Sequence, residues 1–298
     1  MLFFLQVLIN GILIGGVYSL ISLPVVMIYK SSKVFNFAQG SILMLGAWIT
    51  WALVAPGKGL GLPWWLGIIL SLVIAIILGI VVERLALRKL IGQPLFSIMI
   101  VTLGLSAVFI GVVAYFWGTL TGVAYPQFIP ATVWKIGAIT IASDKLIVFL
   151  IAVALIGLVS LFFKYQRYGL GMRAVAESHH VAESLGIRVT TILRANWALA
   201  CAITFTAGIL LASMTSVNHT LDSVALLCFV VILMGGLESI PGVLVAGPIV
   251  GVIEQLTGQY IDRLVGGGFM EVIPYIVLII VVLILPYGIF GLKRIERI

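Results

Sequence analysis

Apolar stretches long enough for membrane helices alternate with short polar segments along the whole chain. A transmembrane helix needs roughly 20 apolar residues, because each residue advances about 1.5 Å through a hydrocarbon layer about 30 Å thick. Nine stretches meet or approach this length: 3–28, 39–55, 64–82, 95–116, 145–163, 192–213, 222–236, 241–257 and 271–288. The pattern predicts an all-α fold, a polytopic transmembrane helical bundle of about eight or nine spans with short or broken helices.

Three of these spans, 39–55, 222–236 and 241–257, are shorter than the roughly 20 residues of a full crossing. Each adjoins a polar motif that contains glycine. Short, interrupted segments in both halves of a chain are typical of broken or re-entrant helices beside a transport pathway. Ordinary short helices with capped loops fit the pattern as well. The candidate pathway residues are Asn36, Gln39, Gly40, Gly235, Gly236, Pro241 and Gly242.

The composition indicates a membrane protein. Of the 298 residues, 62% are hydrophobic and only 9% are charged, a balance that a bilayer accommodates and a soluble core of this size does not. The net charge is +7, but Lys and Arg lie in short loops between apolar runs, so the basic balance does not indicate a nucleic-acid partner. Cys201 and Cys228 lie inside apolar runs, where packed thiols are expected rather than a disulfide or a metal site.

Basic residues concentrate in alternate loops and predict the orientation of the chain. They occur in the first loop, after the third span, in 164–194 and in the C-terminal tail. By the positive-inside rule these segments and the C-terminus are cytoplasmic, and nine spans then place the N-terminus outside. The first apolar run has no basic leader or cleavage site, so we expect it to be retained as a span. The longest external segment is 118–143.

The sequence carries no recognisable catalytic or metal-binding motif. It contains no Walker A sequence, no HExxH, no GxSxG and no pair of Cys or His with ligand spacing. Ion-coupled carriers usually keep ionisable residues at mid-membrane depth. The deepest acid here, Glu254, is predicted about one turn from the external end of 241–257. We therefore expect a transport subunit that is neither an enzyme nor self-powered, with an ion-coupled secondary transporter or channel for a small polar solute as the alternative.

The stretch 164–194 is rich in charge and patterned as a helix. Its apolar residues recur at helical spacing from Met172 to Leu185, and Gly186 is placed to end that helix. Such a helix suits the groove of a soluble partner, and it equally suits the headgroup region of the bilayer. The candidate coupling residues are Arg173, Glu177, His180, Glu183, Leu185 and Gly186.

Two pairs of glycines lie four residues apart within apolar runs: Gly11 with Gly15, and Gly247 with Gly251. Small residues at this spacing form a helix face that allows close approach of another helix. We expect both faces to serve helix packing.

Four motifs occur in order along the chain. They are YKSSKVFNFAQG at 29–40, YGLGMRAVA at 168–176, ESLGI at 183–187 and GGLESIPG at 235–242. Together they make the chain similar, over essentially its whole length, to the Liv-type permeases of bacterial branched-chain amino-acid ABC transporters. The resemblance implies one inner-membrane permease domain over 1–298, with 164–194 as its coupling region.

The same resemblance implies a set of partners. A second permease subunit, similar or identical, would complete the pathway, two cytoplasmic ATPases would supply energy, and a periplasmic binding protein would deliver the substrate. No cofactor is expected on this chain, because ATP would be bound by the partner subunits. Related permeases carry urea, short amides or other amino acids, and the 238–242 segment is nearest to the branched-chain branch.

Overall fold

The computed structural model describes residues 2–90, 93–118, 120, 122–129, 132–136 and 139–291, without the side chains of residues 95, 136, 139, 179 and 180. Its regular elements are α1 (Leu2–Ser32), α2 (Gln39–Val54), α3 (Trp64–Val82), α4 (Leu95–Trp117), β1 (Val133–Ile136), β2 (Ile139–Ala142), α5 (Ser143–Tyr165), α6 (Arg167–Glu177), α7 (His179–Ser184), α8 (Val189–Met214), α9 (Val224–Gly235), α10 (Ile240–Leu256), α11 (Asp262–Val265) and α12 (Phe269–Ile284). A π-helical turn, Glu83–Leu87, and a 3-10 turn, Arg88–Leu90, extend α3.

All nine predicted spans are helical, which confirms an all-α membrane bundle. Six helical runs are long and apolar enough to cross a membrane: Leu2–Ser32, Trp64–Leu90, Phe96–Trp117, Ser143–Tyr165, Val189–Met214 and Ile240–Val265. Three apolar helices are shorter: Gln39–Val54, Leu221–Gly235 and Phe269–Ile284. The fold thus combines helices long enough to cross a membrane with helices that are shorter than a crossing.

The predicted length of the segment 241–257 is wrong. The segment 241–257 does not end at residue 257, because a π-helical turn, Thr257–Ile261, carries the helix on into α11. The continuous helical run Ile240–Val265 has 26 residues and is long enough for a complete crossing. The polar residues after Leu256 resembled a loop in sequence, but their backbone hydrogen bonds are satisfied within the helix, so the helix continues.

The sequence did not predict the short hairpin that precedes α5. Strands β1 and β2 pair antiparallel, with Val133 opposite Ala142. Ser143 closes the base of the hairpin, since its Oγ accepts a 2.9 Å hydrogen bond from the backbone N–H of Thr132. The hairpin lies in the segment 118–143 that was predicted to be external.

The chain forms two compact units. The first comprises Met1–Val26, Ile129–Ile156 and Leu226–Ile298, and the second comprises Met27–Phe128 and Gly157–Ala225. The expected single permease domain over 1–298 stays a prediction.

Glycine faces hold the first unit together and confirm the predicted helix packing. A Cβ on Gly11 would lie 2.6 Å from the Cα of Val252, and a Cβ on Gly251 would lie 2.7 Å from the backbone N of Gly15. Helices α1 and α10 therefore touch backbone to backbone, as small-residue faces allow. Ser19 adds a hydrogen bond of 2.9 Å from its Oγ to the carbonyl of Val243.

In the second unit α8 packs against both α2 and α3. A Cβ on Gly46 would lie 2.6 Å from Phe205 Cγ, and one on Gly79 would lie 2.8 Å from the Cα of Ala198. Thr50 joins α2 to α3 through a 2.6 Å hydrogen bond to Ser71 Oγ. The most apolar part of α8 is 72% buried, whereas the corresponding parts of Trp64–Leu90 and Phe96–Trp117 are 28% and 22% buried. The latter two runs thus leave apolar surface for lipid or for other subunits.

Candidate functional site

Helix α2 begins beside the middle of α8. At the start of α8, Asn196 Nδ2 donates hydrogen bonds of 2.9 Å to the carbonyl of Met27 and 2.5 Å to Ser31 Oγ, so the end of α1 lies at this level. Gln39 Nε2, at the start of α2, donates a 2.9 Å bond to Thr204 Oγ1. Thr204 is eight residues, roughly 12 Å, further along α8. The link between α1 and α2 therefore turns back along α8, which is the arrangement that a re-entrant segment 39–55 requires. The re-entrant interpretation itself stays a prediction.

Side chains of this link satisfy its own irregular backbone. Asn36 Oδ1 accepts a 3.1 Å hydrogen bond from the backbone N–H of Ala38, and Asn36 Nδ2 donates a 3.4 Å bond to Gln39 Oε1. Asn36 and Gln39 are both only 1% exposed. Irregular backbone at membrane depth persists only where protein covers its polar groups or where it borders a water-filled cavity. Asn36 and Gln39 supply this cover.

A second helix begins at the same depth from the opposite direction. A Cβ on Gly40 would lie 2.8 Å from the Cβ of Ala225 and 3.0 Å from the carbonyl carbon of Asp222. The 3-10 turn Leu221–Ser223, which leads into α9, thus starts against the start of α2. The chain reaches this point along α2, because the ring of His219 stacks on Trp48 with centroids 5.3 Å apart. The start of α9 therefore lies beside the start of α2, and a re-entrant segment 222–236 stays a prediction.

The remaining candidate pathway residues form a tight turn in the first unit. Gly236 has a φ of 103°, which favours glycine, and a Cβ on Gly235 would lie 2.6 Å from the carbonyl carbon of Gly242. Ser239 Oγ accepts a 3.0 Å hydrogen bond from the N–H of Gly242 and caps α10, with Pro241 in the first turn of that helix. These residues set a close connection between α9 and α10.

The end of α9 is covered by the chain that follows α12. The backbone N–H of Ile289 donates 2.7 Å to the carbonyl of Met234, and that of Phe290 donates 3.2 Å to the carbonyl of Gly235. Carbonyls at a helix end otherwise lack partners. The turn at 235–242 is thus held from both sides by main-chain contacts.

The predicted single helix from Met172 to Leu185 is wrong. The structure has two helices, α6 and α7, which meet at Ser178 with φ −159° and ψ 123°. Ser178 Oγ accepts a 3.4 Å hydrogen bond from the N–H of Val181 and caps α7. Serine competes with the helix for backbone partners and favours such a start, which explains the break.

Gly186 ends α7 as predicted. Its φ is 79°, its N–H donates 2.9 Å to the carbonyl of Glu183, and the N–H of Ile187 donates 3.0 Å to the carbonyl of Ala182. These two bonds form a Schellman motif, whose left-handed residue is usually glycine.

The two helices bury one side and expose the other. Met172, Val175 and Ala182 are each 1% exposed. Leu185, expected on the same buried face, is 72% exposed, because the break at Ser178 resets the helical phase. We define the loop surface as the exposed side chains of Tyr168, Leu170, Glu177, Val181, Glu183 and Leu185. The side chain of His180 lies outside the described residues.

Arg173 links α6 to the end of α5 by hydrogen bonds. Its Nη1 donates hydrogen bonds of 2.6 Å to the carbonyl of Phe163 and 3.5 Å to the carbonyl of Lys164. A cation at a helix C-terminus satisfies free carbonyls and complements the helix dipole. Arg173 thus positions the loop surface.

Glu83 is a structural site that the sequence reasoning missed. It is 2% exposed and forms ion pairs of 3.2 Å with Arg88 and 3.7 Å with Arg194. The pairs join the end of α3 to the start of α8. Arg194 is more than a hundred positions away in sequence, so the sequence could not predict this ion pair. Its one local indication was the position of Glu83 at the end of a span.

Glu254 lies deeper than the sequence suggested. The helical run continues to Val265, so Glu254 lies 11 residues before its end rather than about one turn. Its side chain is buried, and Tyr18 provides a hydrogen bond to the carboxyl group. Its Oε2 has no hydrogen-bond partner among the residues that the structure describes.

Comparisons with known proteins agree with this architecture. Residues 7–285 match the family described as branched-chain amino acid transport system / permease component. The chain is 28% identical to the high-affinity branched-chain amino acid transport system permease protein LivH of Escherichia coli (strain K12), over 100% of this chain and 98% of that protein. It is 30% identical to the "Probable branched-chain amino acid transport permease protein LivH" of Methanocaldococcus jannaschii, over 98% and 95%. It is 26% identical to the corresponding permease protein BraD of Pseudomonas aeruginosa, over 99% and 98%.

Proposed function

The chain belongs to the family of permease components of branched-chain amino acid transport systems, and we propose that it forms the membrane pathway of an ATP-driven importer of branched-chain or other amino acids. It is a multi-pass membrane transport subunit rather than an enzyme. The relatives named above carry branched-chain amino acid transport in their names, which supports this substrate class for the present chain.

The loop surface is the observation that supports an ATPase partner. It combines exposed apolar side chains with Glu177 and Glu183, on two helices whose positions Arg173 and Gly186 hold. A rigid, mixed apolar and acidic projection fits a protein groove.

The re-entrant starts of α2 and α9 support a pathway beside them. Short helices whose ends lie at membrane depth commonly border the pathways of transporters. In this proposal Asn36, Gln39 and Gly40 position that border, while the turn at 235–242 couples α9 to α10.

The proposed assembly contains four kinds of partner in the bacterial inner membrane and beside it: a second permease subunit, two cytoplasmic ATPases, a periplasmic substrate-binding protein and the lipid bilayer. The chain itself holds no cofactor, since ATP is bound by the partners. Its N-terminus lies outside, its C-terminus and the loop surface lie in the cytoplasm, and 118–143 faces the periplasm.

A second candidate is an ion-coupled transporter, which the buried Glu254 favours, because buried mid-membrane carboxylates often serve ion coupling. Reconstitution distinguishes the two. In proteoliposomes with all partners, leucine uptake should require ATP and the binding protein. Full uptake by this chain alone under an ion gradient would refute the ATP-driven proposal.

A further inference from the structure

A buried carboxylate without a basic partner occupies the centre of a helix in the first unit. Glu254 is 14 residues, roughly 21 Å, from the start of the helical run Ile240–Val265. Glu254 is 7% exposed, so more than nine-tenths of its surface is buried. Its Oε2 is unpartnered among the described residues.

The groups that interact with Glu254, directly or through its tyrosine neighbours, come from three helices and are neutral or acidic. Tyr18 of α1 hydrogen-bonds to it, Glu271 of α12 acts on it through its charge, and Tyr275 of α12 lies close enough to sense its charge. Cys228 of α9 interacts with both tyrosines. No described Lys or Arg belongs to this group of interacting residues.

The negative charge of an ionised Glu254 has no positive partner among these residues. Acids within membrane spans are rare, and they pair with a positive group or face a cavity that admits one. Carboxylate oxygens are also among the hard ligands that hard cations prefer. The free Oε2 is therefore the vacant acceptor in an otherwise packed cluster.

Two side chains of α12 that interact with Glu254 are more exposed than Glu254 itself. Glu271, in the first turn of α12, is exposed, and Tyr275 lies one turn later on the same face and is half-buried. Exposure thus decreases from Glu271 through Tyr275 to Glu254. An exposed acid such as Glu271 raises the local concentration of positive charge beside the buried carboxylate.

We infer that Glu254, with Tyr18, binds a small monovalent positive group, which is either a free alkali-metal ion or the ammonium group of the transported amino acid. The second source rests on the proposed function. Glu254 accepts the charge at Oε2, Tyr18 holds the carboxyl group in place, and Glu271 and Tyr275 form the approach.

Binding to the complete transporter in lipid nanodiscs tests the free-ion source. Radioactive sodium and rubidium ions should bind saturably to the wild type, and Glu254→Gln should weaken binding at least tenfold. Tyr18→Phe, which removes only the supporting hydroxyl, should weaken binding severalfold. Thr257→Val is the matched control, because among the residues that the structure describes the Thr257 hydroxyl bonds only to the carbonyl of Ile253 in the same helix. It should leave binding unchanged.

Uptake kinetics test the ammonium source. If neither ion binds, Glu254→Gln should raise the KM for leucine at least tenfold at unchanged expression, and Tyr18→Phe should raise it severalfold. The deaminated analogue 4-methyl-2-oxopentanoate should not compete. Unchanged ion binding and unchanged leucine kinetics in both variants would overturn the inference. If Glu254→Gln prevents assembly, Tyr18→Phe alone decides by the same measurements. Absence of ATP-driven uptake by the wild-type complex would refute the proposed function and not the site. Ion binding to the same complex would still test whether Glu254 binds a positive group.

Discussion

The side chain of Gln39 donates a 2.9 Å hydrogen bond to Thr204 Oγ1, which ties the first residue of α2 to the middle of α8. This bond places the start of a short helix at membrane depth. Both residues are buried, so water cannot replace the bond without entering the unit. The stability of the re-entrant link should therefore depend on it.

Replacing Thr204 should destabilise the protein more than replacing its neighbour Thr206. Thr204→Val removes the acceptor of Gln39, whereas within the described part of the chain the Thr206 hydroxyl bonds only to the carbonyl of Ala202 in its own helix. A buried hydrogen bond of this kind contributes about 1 kcal/mol, so Thr204→Val should unfold roughly 2–4 °C below Thr206→Val. Thermal unfolding of the purified protein measures the difference. Equal midpoints would show that the bond does not hold α2 in place.

Gly186→Val should uncouple ATP hydrolysis from transport. Valine in the left-handed conformation costs about 1–2 kcal/mol, and the strain displaces the end of α7 while the membrane helices stay inserted. Gly186→Asn is the matched control, because Asn tolerates that conformation better. Transport and substrate-stimulated ATPase activity are measured in the reconstituted complex at equal expression. If Gly186→Val coupled ATP hydrolysis to transport as well as the wild type does, the end of α7 would not transmit motion between the ATPase and the membrane helices.

Charge and shape changes on the loop surface should weaken ATPase binding without destabilising the fold. Leu185 is exposed and Glu183 points into water, so Leu185→Asp and Glu183→Arg leave the buried contacts of α7 intact. Each should reduce co-purification of the ATPase several-fold, and the thermal midpoint should stay within about 2 °C. Lys58→Ala, at an exposed position in another loop, is the control. Full co-purification of both variants would favour a helix that lies on the headgroups.

The predicted orientation can be checked with two single cysteines. Gln127 and Glu177 are both exposed, in the segments assigned to the periplasm and the cytoplasm. In intact cells an impermeant thiol reagent should label Gln127→Cys but not Glu177→Cys, and inside-out vesicles should reverse the result. The native Cys201 and Cys228 are buried and should give little background. Labelling in the opposite sense would invert the topology.

Arg173 should act on coupling through position rather than through contact. Arg173→Ala frees the carbonyls of Phe163 and Lys164 at the end of α5 and loosens the corner that carries α6. We expect coupling to fall and the thermal midpoint to fall with it, by roughly 2–6 °C. Arg173→Lys should restore part of both, because a lysine can reach one carbonyl. Loss of ATPase binding at unchanged stability would instead place Arg173 directly in the interface.

Local properties of the sequence determined much of this fold. The lengths of the apolar runs located all nine helices, because each must cover its backbone within a layer of fixed thickness. The spacing of Gly11 and Gly15 identified a packing face, and Gly186 identified a helix end, since both depend only on neighbouring residues and on the missing side chain.

Only the tertiary structure decided the depth of these elements and the partners of their polar groups. Gln39 reaches Thr204 across 165 positions of sequence, and Arg173 turns back to α5 rather than outward. The burial of Glu254 depends on where its helix ends and on Tyr18 of another helix. The position of a helix along the chain follows from the local hydrophobic pattern. Its depth and the hydrogen-bond partners of its polar groups depend on which helices pack against each other, and only the tertiary structure decides this.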